Sequence, residues 1–171
     1  SHWHGDHNFG IHPYLEAFPN VQVISHTFTH QVFNSKRIRY IDDYPTSTPQ
    51  YKAIVEGYLT SGKDGDGNAL TDAARKYYET FLADTDVIHA ESLRAQITQP
   101  TITFDDKLTV ISGDRKIEFL YLGDGNTAGD IMMWLPDEKI VAAGDVVVHP
   151  VPYLFNVPPR KWSATLANIN A

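Results

Sequence analysis

The stretch Ser1-His2-Trp3-His4-Gly5-Asp6-His7 decides how this chain is interpreted. Side chains alternate along an extended segment, so His2 and His4 are expected to point to the same side and to converge on one cation. Asp6 and His7 follow where the chain turns at Gly5. Neutral imidazole and carboxylate ligands suit zinc, manganese or iron, and this set leaves room for two adjacent ions. A chance cluster of histidines, or the remnant of a tag, is the alternative interpretation.

The composition of the chain indicates a globular protein and argues against several classes of binding partner. The chain has 171 residues, 42% of them hydrophobic, which is enough for one globular domain with a sizeable core. Its net charge of -7 argues against nucleic-acid binding and against attraction to acidic membranes. The chain has no cysteine, and any metal must be held by nitrogen and oxygen. No transmembrane segment or signal peptide is visible, which leaves the compartment open.

Periodicity predicts helices in the middle of the chain and strands in its second half. Helical spacing over about 45–97 predicts two helices, separated by a loop at Gly62–Asn68. A short strand is predicted at 21–25, and Pro158 and Pro159 favour the start of a helix over 160–169. Further β-branched runs, punctuated by Gly and Asp, predict strands at 101–104, 108–112, 117–122, 131–135 and 140–148.

The spacing His-x-His-x-Asp-His at the start of the chain resembles the first signature of the metallo-β-lactamase-fold superfamily. That family carries a Gly-His-Thr-x-Gly-Asp turn ahead of a strand, and then a strand that ends in Gly-Asp. This chain has Gly125-Asn126-Thr127-Ala128-Gly129-Asp130, a hydrophobic run, and then Ala143-Gly144-Asp145. The resemblance covers nearly the whole chain. It implies an α+β fold, the αββα four-layer sandwich, with a helical insertion at about 45–97.

The resemblance also implies a set of metal ligands. By motif position, His2 and His4 would hold one metal, with Asn126 in the place of a third histidine. The second metal would be held by Asp6, His7 and Asp145, and Asp145 would bridge the two. Asn126 departs from the family pattern because its amide oxygen is a weaker ligand than imidazole. Zinc, as one or two ions, is the expected cofactor, and manganese and iron are the alternatives.

Both ends of the chain differ from the family pattern. In the family the first signature follows a run of strands, and a last metal-binding histidine lies beyond the final helix. The resemblance therefore implies a single domain over 1–171 that is partial, without its opening strands and closing segment. Such a chain would expose an apolar sheet face and unpaired strand edges, so we expect self-association that completes the fold.

The function that the resemblance implies is metal-dependent hydrolysis of a small-molecule substrate, an ester, lactone, lactam or thioester, by an activated water. Asp6 is the implied catalytic residue, since it would orient that water. An iron-dependent sulfur dioxygenase and a non-catalytic metal-binding descendant are the alternatives. Four side chains are candidates for the substrate pocket, with core packing or a plain loop position as the other interpretation: Trp3, His149, Tyr153 and Phe155.

The remaining sequence patterns are too weak to indicate a functional site, and we interpret them as structural features. Residues 64–68 start like an EF-hand loop, but Ala69 and Arg75 break the calcium pattern, so a polar connecting loop is preferred. The spacing of His26 and His30 favours a solvent-facing pair on a helix. The remaining assignments are His12 and His89 to structural or surface positions, and Trp134 and Trp162 to the core.

Overall fold

The computed structural model describes residues 2–35, 40–150, 152, 154 and 156–169. The chain divides into two compact units. One, the sheet unit, comprises Ser1–Arg37 and Ile97–Ala171, and the other, the helical unit, comprises Ile38–Gln96. The single domain over 1–171 stays a prediction.

Helices and strands are both well represented, as the α+β expectation requires. The helices are α1 (Gly5–Asn8), α2 (Ile11–Ala17), α3 (Thr27–Phe33), α4 (Tyr40–Ser61), α5 (Asp72–Ser92) and α6 (Pro159–Ile169). The strands are β1 (Ile24–His26), β2 (Ile102–Phe104), β3 (Lys107–Ser112), β4 (Arg115–Leu120), β5 (Met132–Leu135) and β6 (Ile140–Ala142). None of the described helices is long and apolar enough to cross a membrane.

The strands form two sheets in the sheet unit. β1 and β2 pair in parallel, while β3, β4, β5 and β6 form an antiparallel sheet in that order. The register pairs Ser112 with Arg115, so a tight turn joins β3 to β4, and Gly113 supplies the positive φ of +62° that this turn needs. Strands β3 and β6 are the edges of the larger sheet. The expected self-association stays a prediction.

Four of the predicted strands are confirmed within two residues of their ends, and two predictions need correction. The strand predicted at 21–25 begins at Ile24. The strand predicted at 140–148 ends at Ala142, because Gly144 takes a positive φ of +53° and starts a short 3-10 turn, Gly144–Val146. That turn buries Val146, whose carbonyl accepts a hydrogen bond from the Trp162 indole N–H at 2.9 Å. Tertiary contact thus overrides the β propensity of the valines that follow Gly144.

The two tryptophans assigned to the core differ. Trp162 is buried as predicted, and it lies on α6 against the 3-10 turn. Trp134 is only half-buried, which corrects the prediction. Its cross-strand neighbour Val141 belongs to the edge strand β6 and is itself exposed, so this part of the sheet is not covered.

The predicted solvent-facing helical pair of His26 and His30 is wrong for His26. His26 ends β1 and caps α3, where its Nδ1 accepts the Phe28 N–H at 3.1 Å. Its ring is buried and packs on Tyr121, with ring centroids 4.2 Å apart, and this burial lowers the pKa of His26. The imidazole therefore serves as a neutral helix cap.

The helical unit confirms the predicted pair of helices in the middle of the chain. Thr71 caps the start of α5, because its Oγ1 accepts the Ala74 N–H at 3.1 Å. In the connecting loop the Asp64 carboxylate accepts the N–H groups of Asp66 at 3.0 Å and Asn68 at 2.8 Å. The hydrogen bond from the Asn68 N–H is the largest contribution that lowers the pKa of Asp64. The Asp64 carboxylate thus stabilises its own loop, in agreement with the predicted polar connecting loop.

Candidate metal centre

The first wall of the site is the His2–His7 stretch itself. His4 is extended (φ -66°, ψ 155°), and α1 begins immediately afterwards at Gly5. His2 and His4 fall on the same side, with His2 Nε2 2.7 Å from His4 Nδ1. The turn of α1 then brings the His7 ring to a centroid distance of 4.3 Å from the His2 ring. Three imidazoles therefore meet within a single short segment.

The second wall comes from two turns in the later part of the sheet unit. The turn 125–130 contributes Asn126, and the 3-10 turn contributes Asp145. The Asn126 Nδ2 donates to Asp145 Oδ2 at 2.9 Å. It also lies 3.4 Å from His2 Nε2 and 3.4 Å from His4 Nδ1. Residues from the two ends of the sheet unit are thus brought side by side.

Within this cluster, His2, His7 and Asp145 form a group suited to a metal ion. The ligand atoms of the three residues all lie within 4.8 Å of one another. His7 Nε2 lies 3.3 Å from Asp145 Oδ2, and His2 Nε2 lies 3.9 Å from the same oxygen. The side chain of His2 is fully buried, whereas those of His7 and Asp145 are 22% and 25% exposed. The group is therefore open to solvent on one side.

A buried carboxylate fixes the orientation of His2. Asp130 Oδ1 lies 3.1 Å from His2 Nδ1, and both side chains are fully buried. Asp130 Oδ2 accepts the Thr127 N–H at 2.6 Å and the Thr127 hydroxyl at 2.7 Å. A carboxylate beside Nδ1 favours the tautomer with the proton on that nitrogen, which leaves the lone pair of His2 Nε2 for the cluster. Asp130 was not among the predicted site residues, and its place as the acid of the second motif was the signal that could have found it.

Two glycines allow the 125–130 turn to pack so closely. A Cβ on Gly125 would lie 3.2 Å from the Asp130 Cβ and 3.3 Å from a Val146 methyl. A Cβ on Gly129 would lie only 2.6 Å from Thr29 Oγ1 on α3. The glycines of the second motif are therefore required by close packing around the site.

The segment that leads into this turn is tied to α6. The Tyr121 hydroxyl donates to Asp124 Oδ1 at 2.6 Å, and Lys161 Nζ lies 2.9 Å from Asp124 Oδ2. Burial acts to raise the pKa of Asp124, but these hydrogen bonds outweigh it and the pKa is lowered. The Thr165 hydroxyl donates to the Asp124 carbonyl at 2.7 Å. These contacts hold Asp124 in place directly before the turn that carries Asn126.

His4 lies between Trp3 and Asn156. Its ring makes an edge contact with the Trp3 ring at 4.4 Å, and its Nε2 lies 3.1 Å from Asn156 Nδ2. Burial, together with the neighbouring His2, lowers the pKa of His4 and favours its neutral form. Sequence reasoning missed Asn156, because no motif surrounds it.

The remaining predicted site residues lie at the margin or outside the cluster. Asp6 is 77% exposed, with its Oδ2 3.4 Å from His7 Nε2. His149 is exposed, and none of the described contacts joins it to the cluster. Tyr153 and Phe155 lie outside the described residues. The structure therefore brings together His2, His4, His7, Asn126 and Asp145, and their role as ligands stays a prediction.

Comparisons with known proteins give one family match and partial matches to individual proteins. The family model of the metallo-beta-lactamase superfamily matches residues 1–169. The acyl-coenzyme A thioesterase MBLAC2 of Bos taurus is 33% identical over 75 residues, covering 40% of this chain and 26% of that protein. The corresponding thioesterase of Homo sapiens is 32% identical over 75 residues, with the same coverage of both chains. The similarity thus spans about a quarter of the length of each of these relatives.

Proposed function

Because the chain belongs to the metallo-β-lactamase superfamily and has its α+β fold, we propose that it is a metal-dependent hydrolase of thioesters. Esters, lactones and lactams are the alternative substrates. The observation that carries the proposal is the approach of His2, His7 and Asp145, whose ligand atoms lie within 4.8 Å of one another. Zinc is the preferred ion, with manganese and iron as alternatives.

The donors of the cluster fit such an ion. They are imidazole nitrogens and a carboxylate oxygen, and His7 and Asp145 are partly open to solvent. A bound divalent cation would lower the pKa of water and stabilise the negative charge that develops on a carbonyl oxygen.

Asp6 is the proposed proton acceptor. Its carboxylate is exposed and lies beside His7, at the edge of the cluster that solvent reaches. A carboxylate in this place can orient a water molecule through a hydrogen bond and take its proton as the attack on the substrate proceeds. Asp130 supports the reaction indirectly, since it holds His2 in one orientation.

A thioester is the favoured substrate for two reasons. The relatives with partial similarity are acyl-coenzyme A thioesterases. In addition, the pKa of a thiol is about 8.5, so a thiolate leaves as the anion far more readily than an alkoxide does. Thioester hydrolysis therefore asks less of a proton donor than hydrolysis of an ester or a lactam.

The proposal predicts that Asp6→Asn lowers the rate of thioester hydrolysis by about 100-fold or more, because the variant loses the proton acceptor. The measurement is thiol release from a short acyl thioester, followed with a thiol-reactive dye on zinc-loaded protein. The chain has no cysteine that would react with the dye. Asp66→Asn, in the exposed loop of the helical unit, is the matched control and should hydrolyse at the unaltered rate.

Unchanged turnover of Asp6→Asn at full metal content would contradict the role of Asp6. Zinc binding without hydrolysis of any of the four substrate classes would contradict the hydrolase and favour a non-catalytic metal-binding protein. Bound iron with consumption of oxygen would favour the sulfur dioxygenase. The same preparation therefore separates the three functions.

A further inference from the structure

Asn126 presents a donor to the cluster. Its side chain is buried, and its amide lies 2.9 Å from Asp145 Oδ2. If the amide were turned over, its oxygen would face the carboxylate oxygen, two acceptors with no proton between them. The NH2 group must therefore face Asp145, and an amide NH2 has no lone pair to offer a metal. The ligand oxygen of Asn126 points away from the cluster, where it has no partner among the described residues.

His4 is likewise arranged as a hydrogen-bonding neighbour. The carboxylate of Asp130, 3.1 Å from His2 Nδ1, favours the tautomer with the proton on that nitrogen, so Nε2 is the acceptor. The proton shared at 2.7 Å between His2 and His4 is then carried by His4 Nδ1. The other nitrogen of His4 faces the Asn156 amide at 3.1 Å. The described contacts of the two His4 nitrogens are with other residues and do not include Asp145 or His7.

A metal position formed by His2, His4 and Asn126 would therefore have at most two imidazole ligands, whereas catalytic zinc usually has three protein ligands. A complete set is found elsewhere. His2, His7 and Asp145 supply two nitrogens and one oxygen within 4.8 Å. Asp6 approaches His7 but is not part of that group, and its exposed side chain would lose conformational freedom on binding.

We propose that the residues of this chain hold one metal ion, bound by His2, His7 and Asp145, with Asn126 as a hydrogen-bond donor that positions Asp145. The inference rests on the proposed function only in requiring a metal at this site. It replaces the pair of positions that the family motifs imply with a single position that takes His2 from one and His7 and Asp145 from the other.

The test is the zinc content of the folded chain after loading and dialysis against metal-free buffer. We expect one equivalent in the unaltered chain, one equivalent in His4→Ala, and none in His7→Ala. These two variants are matched, since both remove an imidazole from the same short stretch. Two equivalents in the unaltered chain, or equal loss of zinc in both variants, would overturn the inference.

Asn126 is tested by two substitutions whose folding is checked by circular dichroism. Asn126→Leu removes the amide and should keep one equivalent of zinc, and loss of zinc from the folded variant would show that Asn126 is a ligand. Asn126→His should bind two equivalents, because the added imidazole restores the two positions that the family motifs imply, with His2 and His4 in one and Asp6, His7 and Asp145 in the other. One equivalent in that folded variant would overturn the role of Asn126 in limiting occupancy.

The outcome is separable from that of the hydrolase proposal. One equivalent of zinc without hydrolysis would count against the proposed function and leave this inference standing. Two equivalents with hydrolysis intact would overturn this inference alone.

Discussion

Asp130 shows how a single buried side chain sets the chemistry of its neighbours. A buried carboxylate is costly unless hydrogen bonds satisfy it, and here the N–H and the hydroxyl of Thr127 both donate to one oxygen. The other oxygen faces His2 Nδ1 at 3.1 Å. One oxygen is thus held by two hydrogen bonds, and the other lies against the imidazole nitrogen without accepting a hydrogen bond from the described residues. The result is a histidine with a fixed tautomer and a fixed orientation.

We expect Asp130→Asn to weaken both metal binding and stability. An amide must turn its NH2 group toward either Thr127 or His2, so one donor would face another donor. The free energy of unfolding should fall by about 1–3 kcal/mol, and zinc affinity by about 10–100-fold. Urea unfolding of the metal-free protein and zinc competition against a chelator measure the two effects.

The control for this prediction is Asp137→Asn, which changes an exposed acid in the turn between β5 and β6. It should leave both quantities unchanged. Should Asp130→Asn lower the stability and keep the zinc affinity, Asp130 would have a structural role and would not position His2.

The sequence predicts the residues of the cluster better than it predicts their hydrogen bonds. His2, His4, Asp6 and His7 stand together in one segment, so their spacing alone indicates a metal site. The contacts from Asp130 to His2 and from Asn156 to His4 join positions far apart in the chain. No local pattern encodes these contacts, because they depend on how the turns pack.

Among the helices, length decides which ones the sequence predicts. α4 and α5 have 22 and 21 residues, long enough for hydrophobic residues at helical spacing to recur over several turns. α1, α2 and α3 have 4, 7 and 7 residues, too few for a period to appear. The sequence did not predict α1 or α2, and it indicated α3 only through the spacing of His26 and His30. The end of β6 was missed for a different reason, since Gly144 and the contact of Val146 with Trp162 override a run of valines.

The contact between the 125–130 turn and α3 gives a prediction at this scale. Gly129→Ala would place a Cβ 2.6 Å from Thr29 Oγ1 and 3.2 Å from the Thr29 nitrogen. The Thr29 hydroxyl already donates to the Gly129 carbonyl at 3.1 Å, so the two segments cannot separate without losing this bond. Overpacking of this kind should lower the free energy of unfolding by about 1–3 kcal/mol.

Gly10→Ala is the matched control, because nothing lies within 4 Å of the added Cβ and the φ of Gly10 is -76°. It should be neutral or should stabilise the protein by up to about 1 kcal/mol. Urea unfolding of the two variants side by side measures the difference. Equal stability of the two variants would mean that the turn does not need its close approach to α3.

On the scale of the whole molecule, the metal centre belongs to one unit. His2 and His7 come from the start of the sheet unit, and Asp145 comes from its later part. An ion held by all three would join segments that are separated along the chain by the entire helical unit. Metal binding should therefore stabilise the folded sheet unit against opening, while the helical unit contributes none of these ligands.

Hydrogen exchange of the intact chain tests this consequence. With free zinc at about 100 times its dissociation constant, mass action should add about 2.7 kcal/mol to the stability of the sheet unit. Amides in 2–8 and in 125–146 that exchange through opening of this unit should then slow by about 100-fold. The amides of α5 should keep their rates, since the helical unit has its own internal contacts. His7→Ala should show no response to zinc, and a zinc effect centred on α4 and α5 would contradict the assignment of the metal to the sheet unit.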